Sequence, residues 1–462
     1  MIAKQETKIL ATLGPASAAD HIIRELIRKG ADGFRINMGH EKAAALAERL
    51  RTIRALAAQE GVAVATLVDL GGPKLRVGSL PTEQLTLADD MELILGREIP
   101  LTQPEIMADI QPGHRILMDD GKLALVALGS VSGGIKARVV SGGLLLPGKG
   151  INLPDSESRL PALMDKDLED LAAALEAQTD YLSLSFVQRP EDMLLLRRAT
   201  ERYGYCPQLI AKIERPQAVE RFAEILKVAD GIMIARGDLG VEVSPARVPV
   251  LQKQFISQCN ASGKIVITAT QMLESMMQHP LPTRAEASDV ANAVWDGTDA
   301  VMLSGETAVG RYPQESVAMM ADLITAAELA ATPRREPFPE KTRIHALASA
   351  AVEAAEKLRA QAIVALSLSG FTARMVAQRR PTVPLIAVVP EERVRNQLAL
   401  VWGVLPFAMP WSDNSDALIS GLNQILLTQM GLQPGAVVIF ISGATRLRGA
   451  DYILKIHEVA SR

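Results

Sequence analysis

The chain has 462 residues, 48% hydrophobic and 22% charged, which supplies apolar surface for more than one core and excludes disorder as its main state. At roughly 150 residues per domain, this length predicts about three domains. Lys and Arg total 49 against 53 Asp and Glu, a formal charge of −4, so no basic field favours nucleic acid or an anionic membrane.

The first residues, MIAKQETKILATLG, place Lys4 and Glu6 early and hold no apolar run fit for a signal peptide, so a cytoplasmic location is expected. Short apolar runs follow at 7–13, 33–38, 63–69, 181–187, 209–214, 231–236, 265–271 and 300–306, eight strand candidates in all. Between them, segments such as 18–29, 41–59, 166–178, 216–227 and 246–261 carry apolar residues at three and four spacing, as helices do. Strand and helix alternating eight times predict a (β/α)8 TIM barrel, built from 1–75 and 151–335. The gap at 76–150 holds ELILG, RILMDD, LALVAL and IKARVV between Pro-Gly, Asp-Gly and Gly-Gly turns, which predicts an inserted small all-β domain.

A Pro- and charge-rich stretch, ATPRREPFPEKTR, is a linker candidate, and beyond it AIVALS, PLIAVV, VLPFAM and AVVIFI predict a C-terminal α/β domain over 344–462. The uncharged segment 417–445 is interrupted by Asn423, Gln424, Gln429, Gln433 and Pro434-Gly435, so it reads as helix, turn and strand rather than a membrane span. Cys206 and Cys259 have neither disulfide nor CxxC spacing and read as core residues in a reducing compartment. His21, His114, His279, His345 and His457 show no metal-ligand spacing.

Catalytic groups of such barrels emerge at the C-terminal ends of the strands. Those ends carry Arg35 and Asn37, Asp69, Lys212 and Glu214, Asp238, Thr270, and Ser304 and Glu306. Charge beside buried apolar strands is costly unless paired or bound, so this density points to a site. Glu214 and Asp238 end adjacent strands and offer hard oxygens to Mg²⁺ or Mn²⁺. Lys212, two residues before Glu214, points the same way; a buried ion pair with Glu214 or Asp238 is the alternative. Arg35, Lys74, Arg76 and Lys166 could meet a phosphorylated ligand, although each alone reads as a surface charge. RGDLG (236–240) brings glycines to a ligand or forms a plain turn. His40 could serve a nucleotide or be structural. SLSGFT (367–372) could cradle a phosphate or simply cap a helix.

TKILATLGPAS, FRINMGH, VDLGGPKLR, DKDLEDL, AKIERP, ARGDLGVE, TATQMLESM with PTRAE, and MLSGETA occur in this order, and the chain resembles pyruvate kinases. The resemblance runs from Thr7 to about Ala330 and is most specific from Lys212 to Gly310. It implies phosphoryl transfer from phosphoenolpyruvate to ADP, with Mg²⁺ (or Mn²⁺) on Glu214 and Asp238 and a homotetramer. Lys212 matches the family's transition-state-stabilising lysine. Substrate contacts fall on Arg35, Lys212, Gly237, Asp238 and Thr270. Thr270 and Ser304, with water, would protonate the enolate. Nucleotide contacts fall on Asn37, His40, Arg76 and Lys166, beside an insertion that would act as a lid.

The family's K⁺ site is altered here. Asn37 and Asp69 remain, but its Ser position is Gly39, its Thr position is Leu70, and a nearby Glu is Lys74. A lysine there supplies a fixed positive charge, so K⁺ is expected to be dispensable. The Gly-rich effector loop becomes GATRLRGADY (443–452), which predicts weak or absent sugar-phosphate control, and Val309 stands where some relatives carry a lysine. A metal-dependent barrel aldolase handling phosphoenolpyruvate or pyruvate, and an inactive metabolite sensor, are the alternatives.

Overall fold

The computed structural model describes residues 5–330, 342–411, 415–443 and 452–460. Eight parallel strands close into a barrel: β1 (Lys8–Thr12), β2 (Gly33–Asn37), β3 (Ala65–Leu70), β4 (Tyr181–Leu184), β5 (Gln208–Ile213), β6 (Gly231–Ala235), β7 (Ile265–Ala269) and β8 (Ala300–Leu303). Neighbours follow chain order, and β8 returns to β1 through pairs such as Ile9 with Val301. All eight expected runs are strands, because each is apolar enough to be buried on both faces. Leu10, Leu67, Tyr181, Ile210, Met233 and Ile267 fill the interior, while alternate residues such as Ile9, Val68 and Ile232 pack outward against the helices.

Two local readings change. The expected helix over 216–227 is two, Pro216–Glu220 and Phe222–Val228, parted at Arg221. RGDLG, read as a turn or glycine loop, lies in a short helix, Arg236–Glu242, that starts directly after β6. The buried Leu239 holds that segment against the barrel despite its two glycines.

The insertion forms a five-stranded antiparallel sheet in the order Ile151–Asn152, Arg115–Met118, Leu123–Val131, Gly134–Ser141 and Glu92–Leu95. Its own core includes Leu93, Leu95, Ile116, Met118, Leu125 and Val139. The C-terminal sheet contains the four expected strands, Ala362–Leu366, Leu385–Val389, Val404–Ala408 and Val437–Ser442. A fifth, Ile453–Glu458, pairs antiparallel with the last of these; its exposed Lys455 and Glu458 suit an edge.

The segment read as helix, turn and strand is helix Ser415–Thr428 followed by Val437–Ser442. Among the described residues no helix is long and apolar enough to cross a membrane. The candidate linker and the effector-loop region lie, apart from their ends, outside the described residues. Cys259 is buried and Cys206 partly so, both as free thiols.

The C-terminal domain plugs the N-terminal end of the barrel. Ala399 and Leu400 join the interior cluster, and a Cβ on Gly33 would fall 2.9 Å from Leu400 Cδ2. Arg380 pairs with Asp299 at 3.1 Å, donates to Gly297 O at 2.6 Å and lies over the Trp402 ring at 4.5 Å. With that end closed, the polar strand ends at the opposite mouth are left for chemistry.

Candidate active site

Alternation along the strands aims polar residues of β2 to β5 into this mouth. Asp69 is in register with Asn37 on one side and Ser183 on the other. Its Oδ2 accepts from Arg35 Nε at 2.9 Å and Nη2 at 2.6 Å, and from Lys212 Nζ at 3.3 Å; Oδ1 accepts from Ser183 Oγ at 2.6 Å. Lys212 Nζ also lies 3.0 Å from Glu214 Oε1 and donates to Ser185 Oγ at 2.7 Å. Ser185 in turn donates to Leu70 O at 2.8 Å. Arg35 Nη1 reaches Thr12 Oγ1 at 3.2 Å.

Asp69 and Glu214 are each 1% exposed, and Lys212 is 8% exposed. Burial pushes the Asp69 carboxyl up, but Lys212 and Arg35 outweigh it and hold it at about 2. Burial pulls the Lys212 ammonium down, yet Asp69 and Glu214 leave it raised overall. The Glu214 carboxyl stays above its ordinary value, chiefly through burial, with Asp238 adding to the rise and Lys212 opposing it. Lys212 is therefore a cation held between two carboxylates, and the alternative ion-pair reading is correct as geometry. It does not exclude a ligand role.

Glu214 Oε2 accepts from the Phe186 amide at 2.7 Å, and Phe186 has a left-handed backbone, φ +58°. A bulky residue in that region is strained, and such strain collects at functional sites. Thr270 and Gln271, just past β7, share it at φ +68° and +55°. Their corner is pinned by Arg236, which donates to Thr270 O at 2.8 Å and Gln271 O at 3.2 Å and pairs with Asp289 at 2.7 Å. Thr270 Oγ1 accepts from the Gly237 amide at 2.7 Å and donates to Ala269 O at 2.6 Å. The Ser304 hydroxyl is buried without a protein partner, while its amide donates to Glu306 Oε2 at 2.7 Å. Burial raises the Glu306 carboxyl.

Among the described residues, those expected around a nucleotide make no hydrogen bond to the charged groups of this cluster. Asn37 Oδ1 accepts from the Gly39 amide at 3.0 Å, and His40 is exposed. Lys166 Nζ donates to Met38 O at 2.8 Å and to Asp170 at 2.5 Å. Arg76 Nη1 donates to Gly148 O at 2.9 Å across the two chains that join insertion to barrel. Lys74 Nζ lies 5.8 Å from the centre of the Phe186 ring. Among the described residues no group of three or more His, Cys, Asp or Glu could hold a metal. The charge of Asp238 reaches Glu214, whose carboxyl it helps to raise; two carboxylates suit an ion that keeps waters and substrate oxygens.

Sequence reasoning passed over Ser183, Ser185, Phe186 and Arg236. The Ser-x-Ser alternation in YLSLSF was the available signal for the first two, since period two puts both on one strand face.

The pyruvate kinase barrel-domain model matches residues 4–317, and the pyruvate kinase alpha/beta-domain model matches residues 345–457. The chain belongs to the pyruvate kinase family. It is 42% identical over 446 residues to a pyruvate kinase of Agrobacterium vitis, covering 93% of this chain and 92% of that one. A Staphylococcus saprophyticus pyruvate kinase is 37% identical over 472 residues, covering 98% of this chain and 80% of its own. The crystal structure of a pyruvate kinase from Cryptosporidium parvum superposes with a TM-score of 0.92 at 31% identity, covering 99% of this chain and 97% of that chain. The chain is thus an enzyme of a phosphotransferase family, and the aldolase reading gives way to the pyruvate kinase one.

Proposed function

We propose that this enzyme transfers the phosphoryl group of phosphoenolpyruvate to ADP, yielding pyruvate and ATP. The observation that carries the reading is Lys212, buried and fixed by Asp69, Glu214 and Ser185 beside Arg35 at the barrel mouth. A phosphoryl group in flight spreads negative charge over its equatorial oxygens, and a pre-aligned cation stabilises that charge without reorganising. Arg35 and Lys212 grip the phosphoryl end of the substrate. Gly237, Asp238 and Thr270 receive its carboxylate end. Thr270 and the unpartnered Ser304 hydroxyl, with water, deliver the proton that turns the enolate into pyruvate.

Glu214 and Asp238 would hold Mg²⁺ or Mn²⁺, which when bound neutralises charge on the phosphoryl and enolate oxygens. Asn37, His40, Arg76 and Lys166 receive the nucleotide. The insertion acts as a lid that excludes water, the competing acceptor.

K⁺ is dispensable in this reading. The oxygens of the altered cation site are already engaged: Asp69 by Arg35, Lys212 and Ser183, the Leu70 carbonyl by Ser185, and Asn37 by the Gly39 amide. Lys74, against Phe186, adds the fixed charge. By resemblance the enzyme is a cytoplasmic homotetramer.

The test is pyruvate formation from phosphoenolpyruvate and ADP, with Mg²⁺ or a chelator, in K⁺ or in a bulky tetraalkylammonium salt. Mg²⁺-dependent, equal rates in both salts are expected. Activity only in K⁺ sinks the role of Lys74, and no activity anywhere restores the inactive-sensor alternative.

A further inference from the structure

The short helix Arg236–Glu242 carries Gly237 and Asp238 at its start and meets the insertion at its end. Its last residue, Glu242, is 3% exposed. Oε1 accepts from Asn152 Nδ2 at 2.9 Å, while Oε2 is buried with no hydrogen-bond partner. Asn152 sits on the strand by which the chain leaves the inserted sheet, paired with Leu117. One residue earlier on the helix, Val241 faces the turn at 119–121: a Cβ on Gly121 would lie 3.5 Å from Val241 Cγ1.

The returning chain is gripped from a second side. Arg215, next to Glu214, donates to Leu153 O at 3.0 Å and Ser156 O at 3.1 Å, and its Nε is also buried without a partner. A buried acceptor and a buried donor of opposite charge, each left unmatched, are costly and favour a second arrangement that pairs them. A cavity of about 550 Å³, lined by Leu117, Asp120 and Gly121 on the insertion and Arg236, Gly237 and Gln271 on the barrel, gives the turn room to travel.

We infer that Asn152, Glu242 and Arg215 form a latch that transmits the position of the insertion to Gly237 and Asp238. The inference rests on the lid role proposed above. When the insertion closes, Asn152 draws on Glu242, and the two-turn helix shifts as a unit. That movement sets the Gly237 amide and the Asp238 carboxylate against Thr270, whose hydroxyl already accepts from Gly237. Asn152 and Glu242 are positioning residues, because they reach the substrate only through that helix, and Arg215 holds the returning chain that carries Asn152.

The test compares Asn152→Ala, Glu242→Ala, the double variant and Glu242→Gln with the unaltered enzyme. Each alanine variant is expected to lower kcat about tenfold with KM for phosphoenolpyruvate within twofold. The double variant should be no worse than the weaker single, because both changes break one linkage. Glu242→Gln keeps an acceptor for Asn152 and should stay within threefold of the unaltered enzyme. Losses that multiply to about a hundredfold, or an unchanged kcat in both alanine variants, overturn the latch.

Hydrogen exchange supplies a second reading that does not depend on the variants folding. Mg·ADP should raise protection at 119–123 and at 236–243 together in the unaltered enzyme; a response at 119–123 alone overturns the inference. An unaltered enzyme without transferase activity would instead overturn the proposed function, so the two failures are distinguishable.

Discussion

Replacing Lys212 by Met removes a cation 3.3 Å from Asp69 and 3.0 Å from Glu214. At an effective dielectric of about 20, each contact is worth roughly 5 kcal/mol of gross attraction, against several kcal/mol spent desolvating the ammonium. Stripping one partner from a buried pair usually costs about 3–5 kcal/mol. Arg35 still holds Asp69, and Glu214 can take a proton, so the loss at pH 7.5 belongs near about 3 kcal/mol. The sign with pH follows from Glu214. Lys212 opposes the rise of its carboxyl, so the variant carries a higher Glu214 pKa than the unaltered enzyme. Its folded state therefore binds an extra proton at lower pH, and the stability deficit shrinks as pH falls towards 5.5.

Activity has no such remedy. Loss of the cation on the transferring group should lower kcat by about 10³–10⁵, or about 4–7 kcal/mol. Urea unfolding at pH 7.5 and 5.5 and steady-state kinetics measure both effects. A kcat within tenfold of the unaltered enzyme, or a deficit that does not change with pH, would refute this reasoning.

Deleting about 78–148 should leave Mn²⁺ binding at Glu214 and Asp238 within a few-fold and abolish transfer to ADP; full turnover by the deletant removes the lid role. Lys74→Glu should make turnover depend on K⁺, read as a ratio of rates in K⁺ and tetraalkylammonium salt well above one; a ratio near one removes the charge-substitution argument. At the barrel floor, burial lifts Glu6 from 4.5 to about 7, with Glu328 adding and Lys8 and Arg380 opposing. The folded state then keeps a proton that the unfolded chain releases between these values, so this contribution is full below pH 4.5 and is lost as pH rises through 7. Glu6→Gln should flatten the fall in Tm between pH 5 and 8, and an unchanged slope contradicts the assignment.

The barrel was legible because its strands are buried on both sides and leave uninterrupted apolar runs such as IVITA and AVML. The polar residues closing those runs exposed Arg35, Asp69, Lys212 and Glu214 for the same reason: a charge there must be paired or used. Other features depend on tertiary context. Arg236–Glu242 has two glycines in seven residues, so local propensity argues against a helix that burial of Leu239 imposes. The positive φ of Phe186 and Thr270 has no sequence signature, since neither is glycine. Asn152 and Glu242 meet across 90 residues, and nothing in either neighbourhood announces the other. Roles that rest on resemblance, such as those of His40 and Arg76, could not come from spacing at all.

The most direct measurement follows phosphorus by NMR in a mixture of phosphoenolpyruvate, ADP, Mg²⁺ and the enzyme. Loss of the phosphoenolpyruvate signal should be matched one for one by the γ-phosphate of ATP, with no inorganic phosphate beyond the enzyme-free control. Release of inorganic phosphate in place of ATP, or no consumption of phosphoenolpyruvate, would contradict a site built for transfer to ADP.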